Sequence, residues 1–348
     1  MLSDFGDYPP SAPSETFAVR TLASLQTAVS ACIARQKCMR VRCLAHSMNG
    51  MSVPMPGEAL IDVAAVRHIR WVGPASICAG AGLGVWELDE HVRRFGWKLK
   101  VTNDGAGQAP SVGGFLSAGG IGTGTFFYGG FWETVRSITI VLADGTTRTV
   151  SHDEDLFPWL FGSMGTLGVI YEAVLDLIPS GSSDGHSIPD ADSLPATSSP
   201  LWPKHVWLTL LVSTDDRETA TNSLERLAQT HPLAWEPRES YEYYLPFRCF
   251  NPPLLYGEPT DFFAIGIWGD RKGGDGSLVQ YLVMEDAFQR YVERTGHRRY
   301  FQSELIRNQR ALERYVGRVY ADAFLDLKGT LDPRGLLNRV PFLRRERS

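Results

Sequence analysis

With 348 residues, 43% of them hydrophobic, the chain can bury a substantial core in one large or two ordinary domains. A net charge of −5 and a pI near 5.9 argue against a nucleic-acid partner, which needs a basic face. The five cysteines form no CxxC pair and no zinc spacing, no apolar run approaches the length of a membrane span, and the opening MLSDFGDYPP has neither a basic n-region nor an apolar h-region. A reduced, cytoplasmic protein with no metal and no membrane contact is therefore expected.

In chain order, a strand at 17–19 leads to a helix at 22–35, where Leu22, Leu25, Ala28, Val29, Cys32 and Ile33 share one face. A second strand at 39–42 opens into a loop holding Cys43, Leu44, Ala45, His46, Ser47, Asn49 and Gly50, and a third follows at 60–63. A glycine-containing strand near 77–80 precedes a helix at 85–95. The stretch from Pro110 to Gly145, PSVGGFLSAGGIGTGTFFYGGFWETVRSITIVLADG, carries nine glycines and ends in a strand at 138–142. Glycine lacks a Cβ, permits φ > 0 and lets backbone lie directly on a ligand, so such a run suggests a flat, polyanionic cofactor held by main-chain N–H groups. The run is also compatible with a glycine-rich bend that holds no ligand. Neither GxGxxG after a first strand nor GxxxxGK[ST] is present.

Residues 179–203 are rich in Ser, Pro, Asp and Gly and read as a linker. Beyond it come a strand at 205–212, a helix at 217–229 capped by Ser213, Thr214 or Asp215, a strand at 262–268 and a helix at 277–295. A long helix at 304–327 precedes Asp332-Pro333-Arg334-Gly335, a helix-ending turn.

The glycine run VGG-x-LS-x-GGIG, the Ala-Asp-Gly that closes its strand, the Gly162–Ile170 segment GSMGTLGVI and the closing DP-x-G-L-L-N resemble the PCMH-type FAD-binding domain of the vanillyl-alcohol-oxidase superfamily. Within it they are most similar to the cytokinin-dehydrogenase and alditol or aldonolactone oxidase branches. The resemblance implies an α+β fold: an FAD-binding domain at 1–180 in two subdomains (about 1–70 and 71–180), a linker at 181–203, a small substrate cap at 204–326, and a return to the FAD domain at 327–348. It implies FAD contacts from His46, Ser47, Asn49, Gly50, Ser111, Val112, Gly113, Gly114, Ser117, Gly120, Ile121, Gly122, Gly168, Val169 and Ile170. In many members the histidine before the serine bonds covalently to the flavin, which maps to His46. The glycines that usually precede it are replaced here by Cys43, Leu44 and Ala45, and Ala109 stands where a doubly linked branch has cysteine. Gly120 falls where a small residue leaves a path for O₂, and is otherwise a tight turn.

For chemistry, a flavin enzyme needs a base and groups that orient the substrate. Asp104, Tyr128, Glu242, Tyr244 and Arg299 are the candidates, alongside Tyr241, Tyr243, Arg248, His297, Arg298 and Tyr300; a strand with alternating faces also explains the Glu-Ser-Tyr-Glu-Tyr-Tyr run. The implied activity is oxidation of a CH–OH or CH–NH group of a small molecule, with electrons passed to O₂ or a quinone-like acceptor. The alternatives are an NADPH-dependent reductase of the same fold and a flavin-binding protein without turnover.

Overall fold

A computed structural model describes residues 1–4, 11–48, 50–103, 110–182, 205–232, 234–272, 277–300 and 309–338. It begins with β1 (Glu15–Ala18), α1 (Leu22–Ala34), β2 (Met39–Arg42) and β3 (Ala59–Asp62). The three strands form a parallel sheet in the order β1-β3-β2, with Glu15 and Met39 both in register with Ala59. Helix α1 starts where the sequence allows a cap: the Thr21 side chain accepts from Ser24 N–H while the Ser24 hydroxyl accepts from Thr21 N–H. Its apolar face, Leu25, Ala28, Val29 and Cys32, is buried with Met39, Ile61 and Val63 in a small core of its own.

Next come β4 (Ile69–Gly73), β5 (Ser76–Gly80), α2 (Val85–Arg93) and β6 (Trp97–Leu99), followed by the short helices α3 (Val112–Ala118) and α4 (Thr125–Tyr128). After a 3₁₀ turn at Phe131–Thr134 run β7 (Val135–Val141), β8 (Thr147–Ser151), α5 (Phe157–Leu160) and β9 (Val169–Pro179). These strands make an antiparallel sheet in the order β4-β5-β9-β7-β8, with β6 paired to the end of β9. The helix expected to reach residue 95 stops at Arg93, ahead of Gly96 at φ +80°.

The remainder is β10 (His205–Ser213), α6 (Arg217–Thr230), β11 (Trp235–Leu245), β12 (Phe262–Arg271), α7 (Ser277–Thr295), β13 (Arg298–Arg299), α8 (Gln309–Val316) and α9 (Arg318–Leu331). Its sheet is antiparallel in the order β11-β12-β10-β13. Two expectations are corrected here. The N-cap of α6 is Asp216, without a side-chain cap bond; Ser213 instead closes the turn before it, its Oγ donating to the Asp216 carboxylate and accepting from Asp216 N–H. The helix expected at 304–327 is two helices, because Gly317 takes φ +81°, a conformation no right-handed helix contains; the start of that expected helix, and most of the expected linker, lie outside the described residues.

One continuous core runs from the six-stranded sheet into the four-stranded one, from Ile77, Trp132 and Phe161 through Leu210, Trp235 and Phe262 to Phe288 and Phe324. The junction is also hydrogen-bonded. The Tyr300 hydroxyl donates to Gly119 C=O, and Arg248 donates to Phe127 C=O. None of the helices among the described residues is long and apolar enough to cross a membrane.

Candidate cofactor site

A cavity enclosing about 900 Å³, counting its open mouth, lies between the parallel sheet and the six-stranded sheet. Four segments wall it, and each is held there by local chemistry.

The first wall continues β2. Val41, Cys43, Leu44, Ala45, His46 and Ser47 line the cavity, and Ala45 turns the loop at φ +57°. A glycine adopts that conformation without cost, whereas an alanine meets steric resistance. Burial lowers the His46 pKa to about 4, so its imidazole is neutral at physiological pH. Burial pushes the Cys43 thiol up to about 11, and its Sγ lies 3.6 Å from Ala81 C=O.

The second wall is α3. Ser111 caps it, its Oγ accepting from Gly114 N–H at 3.1 Å. Gly113 lets the helix start lie against β5's exit: a Cβ there would stand 2.8 Å from Ala81 Cβ. Ser111, Gly113, Gly114, Phe115, Ser117 and Ala118 face the cavity.

The third and fourth walls are the loop carrying Met164, Gly165, Gly168 and Ile170, and the chain's return at Asn338. Asn338 holds three segments together. Its Nδ2 donates to Met164 C=O and Gly165 C=O, both at 3.1 Å; its Oδ1 accepts from Val41 N–H at 2.7 Å; its own N–H donates to Met39 C=O. Behind it, buried Lys328 donates to Thr166 C=O, Leu337 C=O and the Asp332 carboxylate, which in turn accepts the N–H groups of Leu336 and Leu337. Among the described residues four non-glycines have positive φ, namely Gln36, Ala45, Met164 and Asn338. Three of them line this cavity, and such unfavourable backbone persists where surrounding structure holds it for a ligand.

The sequence-derived residues separate on this geometry. His46, Ser47, Ser111, Gly113, Gly114, Ser117, Gly168 and Ile170 line the cavity. Val112 and Val169 do not line it and are buried in the cores behind it. Gly120, Ile121 and Gly122 do not line the cavity. A Cβ on Gly120 would meet the Phe115 ring at 2.5 Å, Gly122 is glycine because Thr102 C=O presses on it, and Ile121 packs on the main core. Nor does Gly50 line it: its N–H donates to the Asp4 carboxylate at 2.8 Å, and the same carboxylate accepts from the Ser47 hydroxyl. Asn49 and Asp104 lie outside the described residues.

None of the other proposed catalytic side chains reaches the cavity. Tyr128 packs on the main core beside Phe127, Glu242 pairs with Arg217 at 2.8 Å, and Tyr244 donates to Asp261. Arg299 is fully buried, 2.9 Å from the Glu285 carboxylate and over the Phe288 ring. Glu242 and Tyr244 alternate onto one face of β11, which turns them toward α6 and Asp261. Sequence reasoning missed Ala45, Phe115, Met164 and Asn338 as lining residues. Only the asparagine carried a usable signal, as the last polar residue of the DP-x-G turn.

The donor set fits a dinucleotide. Hydroxyls, backbone and one neutral imidazole line the cavity, and none of the described lining residues is a carboxylate that would repel a pyrophosphate. Residues 13–151 match the family described as FAD binding domain, and the chain binds FAD through this domain. The fold is the α+β PCMH type. Two curated relatives are similar over part of their length. A mitochondrial D-lactate dehydrogenase [cytochrome] of Arabidopsis thaliana is 28% identical over 142 residues, 38% of this chain and 24% of the relative. An uncharacterized oxidoreductase, ORF5 in the fasciation locus of Rhodococcoides fascians, is 27% identical over 177 residues, 50% of this chain and 40% of the relative. The matched stretches thus span under half of either relative's length.

Proposed function

We propose that the protein is an FAD-dependent oxidoreductase that oxidises a CH–OH or CH–NH group of a small molecule and passes the electrons to O₂ or a quinone-like acceptor. The observation that carries the reading is the convergence of three positive-φ residues, Ala45, Met164 and Asn338, on one cavity that also contains His46. Bound FAD supplies hydride acceptance. The chain's own part is to bind and orient. Ser111 offers a hydroxyl, while those of Ser47 and Ser117 donate to the Asp4 carboxylate and to Gly114 C=O; Gly113 and Gly114 bring backbone close; Asn338 keeps the β2 loop and the Met164–Gly165 loop at a fixed separation. His46 is the residue in place for a tether, since a neutral imidazole keeps a nitrogen lone pair available.

The names of the two relatives, a D-lactate dehydrogenase and an oxidoreductase, support the same class and direct the first substrates to 2-hydroxy acids, followed by amines, alditols and lactones. The test is anaerobic bleaching of the flavin band by each substrate, then reoxidation by air or by a quinone analogue. A yellow protein bleached by none of them would favour the flavin-binding reading without turnover, with which the placement of Glu242, Tyr244 and Arg299 outside the cavity lining agrees.

A further inference from the structure

Away from the cavity, three side chains of unlike chemistry meet on the six-stranded sheet. His68 immediately precedes β4, Cys78 lies in β5 and Glu172 in β9. The register sets Cys78 opposite Arg70 and Gly80 opposite Glu172, while Gly80 N–H donates to His68 C=O. Gly80 is glycine because the Val66 C=O presses on it, 2.4 Å from where a Cβ would stand. His68 Nε2 is 2.7 Å from Glu172 Oε2, and the imidazole nitrogen, the thiol sulfur and the carboxylate oxygen all lie within 4.8 Å of one another. Ile77 and Ala79 point into the main core, whereas Cys78 between them joins neither core.

We propose that His68, Cys78 and Glu172 form a binding site for a zinc-like divalent transition ion, with water as the fourth ligand. Nitrogen, sulfur and oxygen donors together suit a borderline-soft ion, and three protein ligands plus solvent is a common zinc set. A tetrahedral zinc ion holds such donors about 3.4 to 3.6 Å apart. The histidine–glutamate pair must open by under about 1 Å, and the thiol must close by up to about 1.2 Å. Both movements are small for side chains fixed on neighbouring strands. An approach exists, because the His68 and Glu172 side chains are 34% and 21% exposed. Arg70, at 3.9 Å from Glu172 Oε1 and 61% exposed, is free to swing out or to remain as an outer partner of the carboxylate. Binding replaces the thiol proton by the metal and releases that proton to solvent. The bound ion would pin edge strand β4 to β9.

Full-length protein stripped with a chelator and titrated with Co²⁺ as the probe tests this. The expected result is one site with tetrahedral d–d absorption and a thiolate-to-metal band, displaced by Zn²⁺. Cys78→Ser removes the thiolate band. His68→Ala and Glu172→Gln, at partly exposed positions, retain native circular dichroism and weaken binding by roughly tenfold or more. A wild type without the thiolate band overturns the proposal. So does a band of unchanged affinity in the His68 and Glu172 variants, which would place the metal at exposed Cys249.

Discussion

At the scale of the residue, His46 links stability to pH. Its folded pKa is about 4 against an ordinary value of 6.5, lowered by burial. The unfolded chain takes up a proton near pH 6.5 and the folded chain only near pH 4. The contribution of the neutral ring is therefore complete above pH 6.5, shrinks as pH falls through this window, and its loss reaches about 3 kcal/mol at pH 4. Urea midpoints at about pH 7.5 and about pH 4.5 should fall further for the wild type than for His46→Ala, and parallel falls would assign the acid lability elsewhere. The same substitution should release flavin that otherwise stays fluorescent on a denaturing gel. Ala45 is the companion case. Holding an L-residue at φ +57° costs about 1–2 kcal/mol, part of which glycine gives back through its larger unfolded-state entropy. Ala45→Gly should raise stability by about 0.5–1 kcal/mol and preserve FAD affinity.

At the scale of the element, the glycine stretch shows how far a sequence can be read. Periodicity locates α1, α6 and α7 to within a residue of their ends, because that signal is local. A run of glycines says that backbone comes close to something, without saying to what. Gly113 and Gly114 face the cavity, while Gly120 and Gly122 are glycine because Phe115 and Thr102 crowd them, a fact that depends on tertiary packing. The oxygen-path reading of Gly120 changes accordingly. Gly120→Ala forces a methyl onto the Phe115 ring and should cost about 1–3 kcal/mol by overpacking. Thermal melts should register that loss, and anaerobic reduction and air reoxidation should slow together if they slow at all. The break at Gly317 was equally hidden, since one glycine in a helical pattern is usually tolerated. Asn338 was legible as a turn residue but not as a link between segments. Its turn is local, but its partners Val41, Met164 and Gly165 are 173 to 297 residues away.

At the scale of the whole molecule, residues 13–151 supply two walls of the cavity and the rest of the chain supplies the others. Lys328 and Asn338 are the means by which the far end of the chain shapes the site. The Lys328 ammonium is buried, with Asp332 and two carbonyls as its acceptors, so Lys328→Met strands the Asp332 carboxylate and should cost about 3–5 kcal/mol. Asn338→Ala removes the bonds to Val41, Met164 and Gly165 at a cost of about 2–3 kcal/mol and lets the β2 loop drift from the Met164–Gly165 loop. Binding stabilises in proportion to the logarithm of ligand excess, about 2.7 kcal/mol at a hundredfold excess over Kd, which for a chain of this size is a rise of a few degrees in Tm. That rise should appear on adding FAD to wild type prepared free of flavin, and shrink markedly for flavin-free Asn338→Ala at the same FAD concentration. Differential scanning calorimetry with and without FAD separates the two effects, since loss of fold lowers both curves together and loss of the site closes the gap between them. An undiminished gap in Asn338→Ala would mean that residues 13–151 hold the cofactor without the return of the chain.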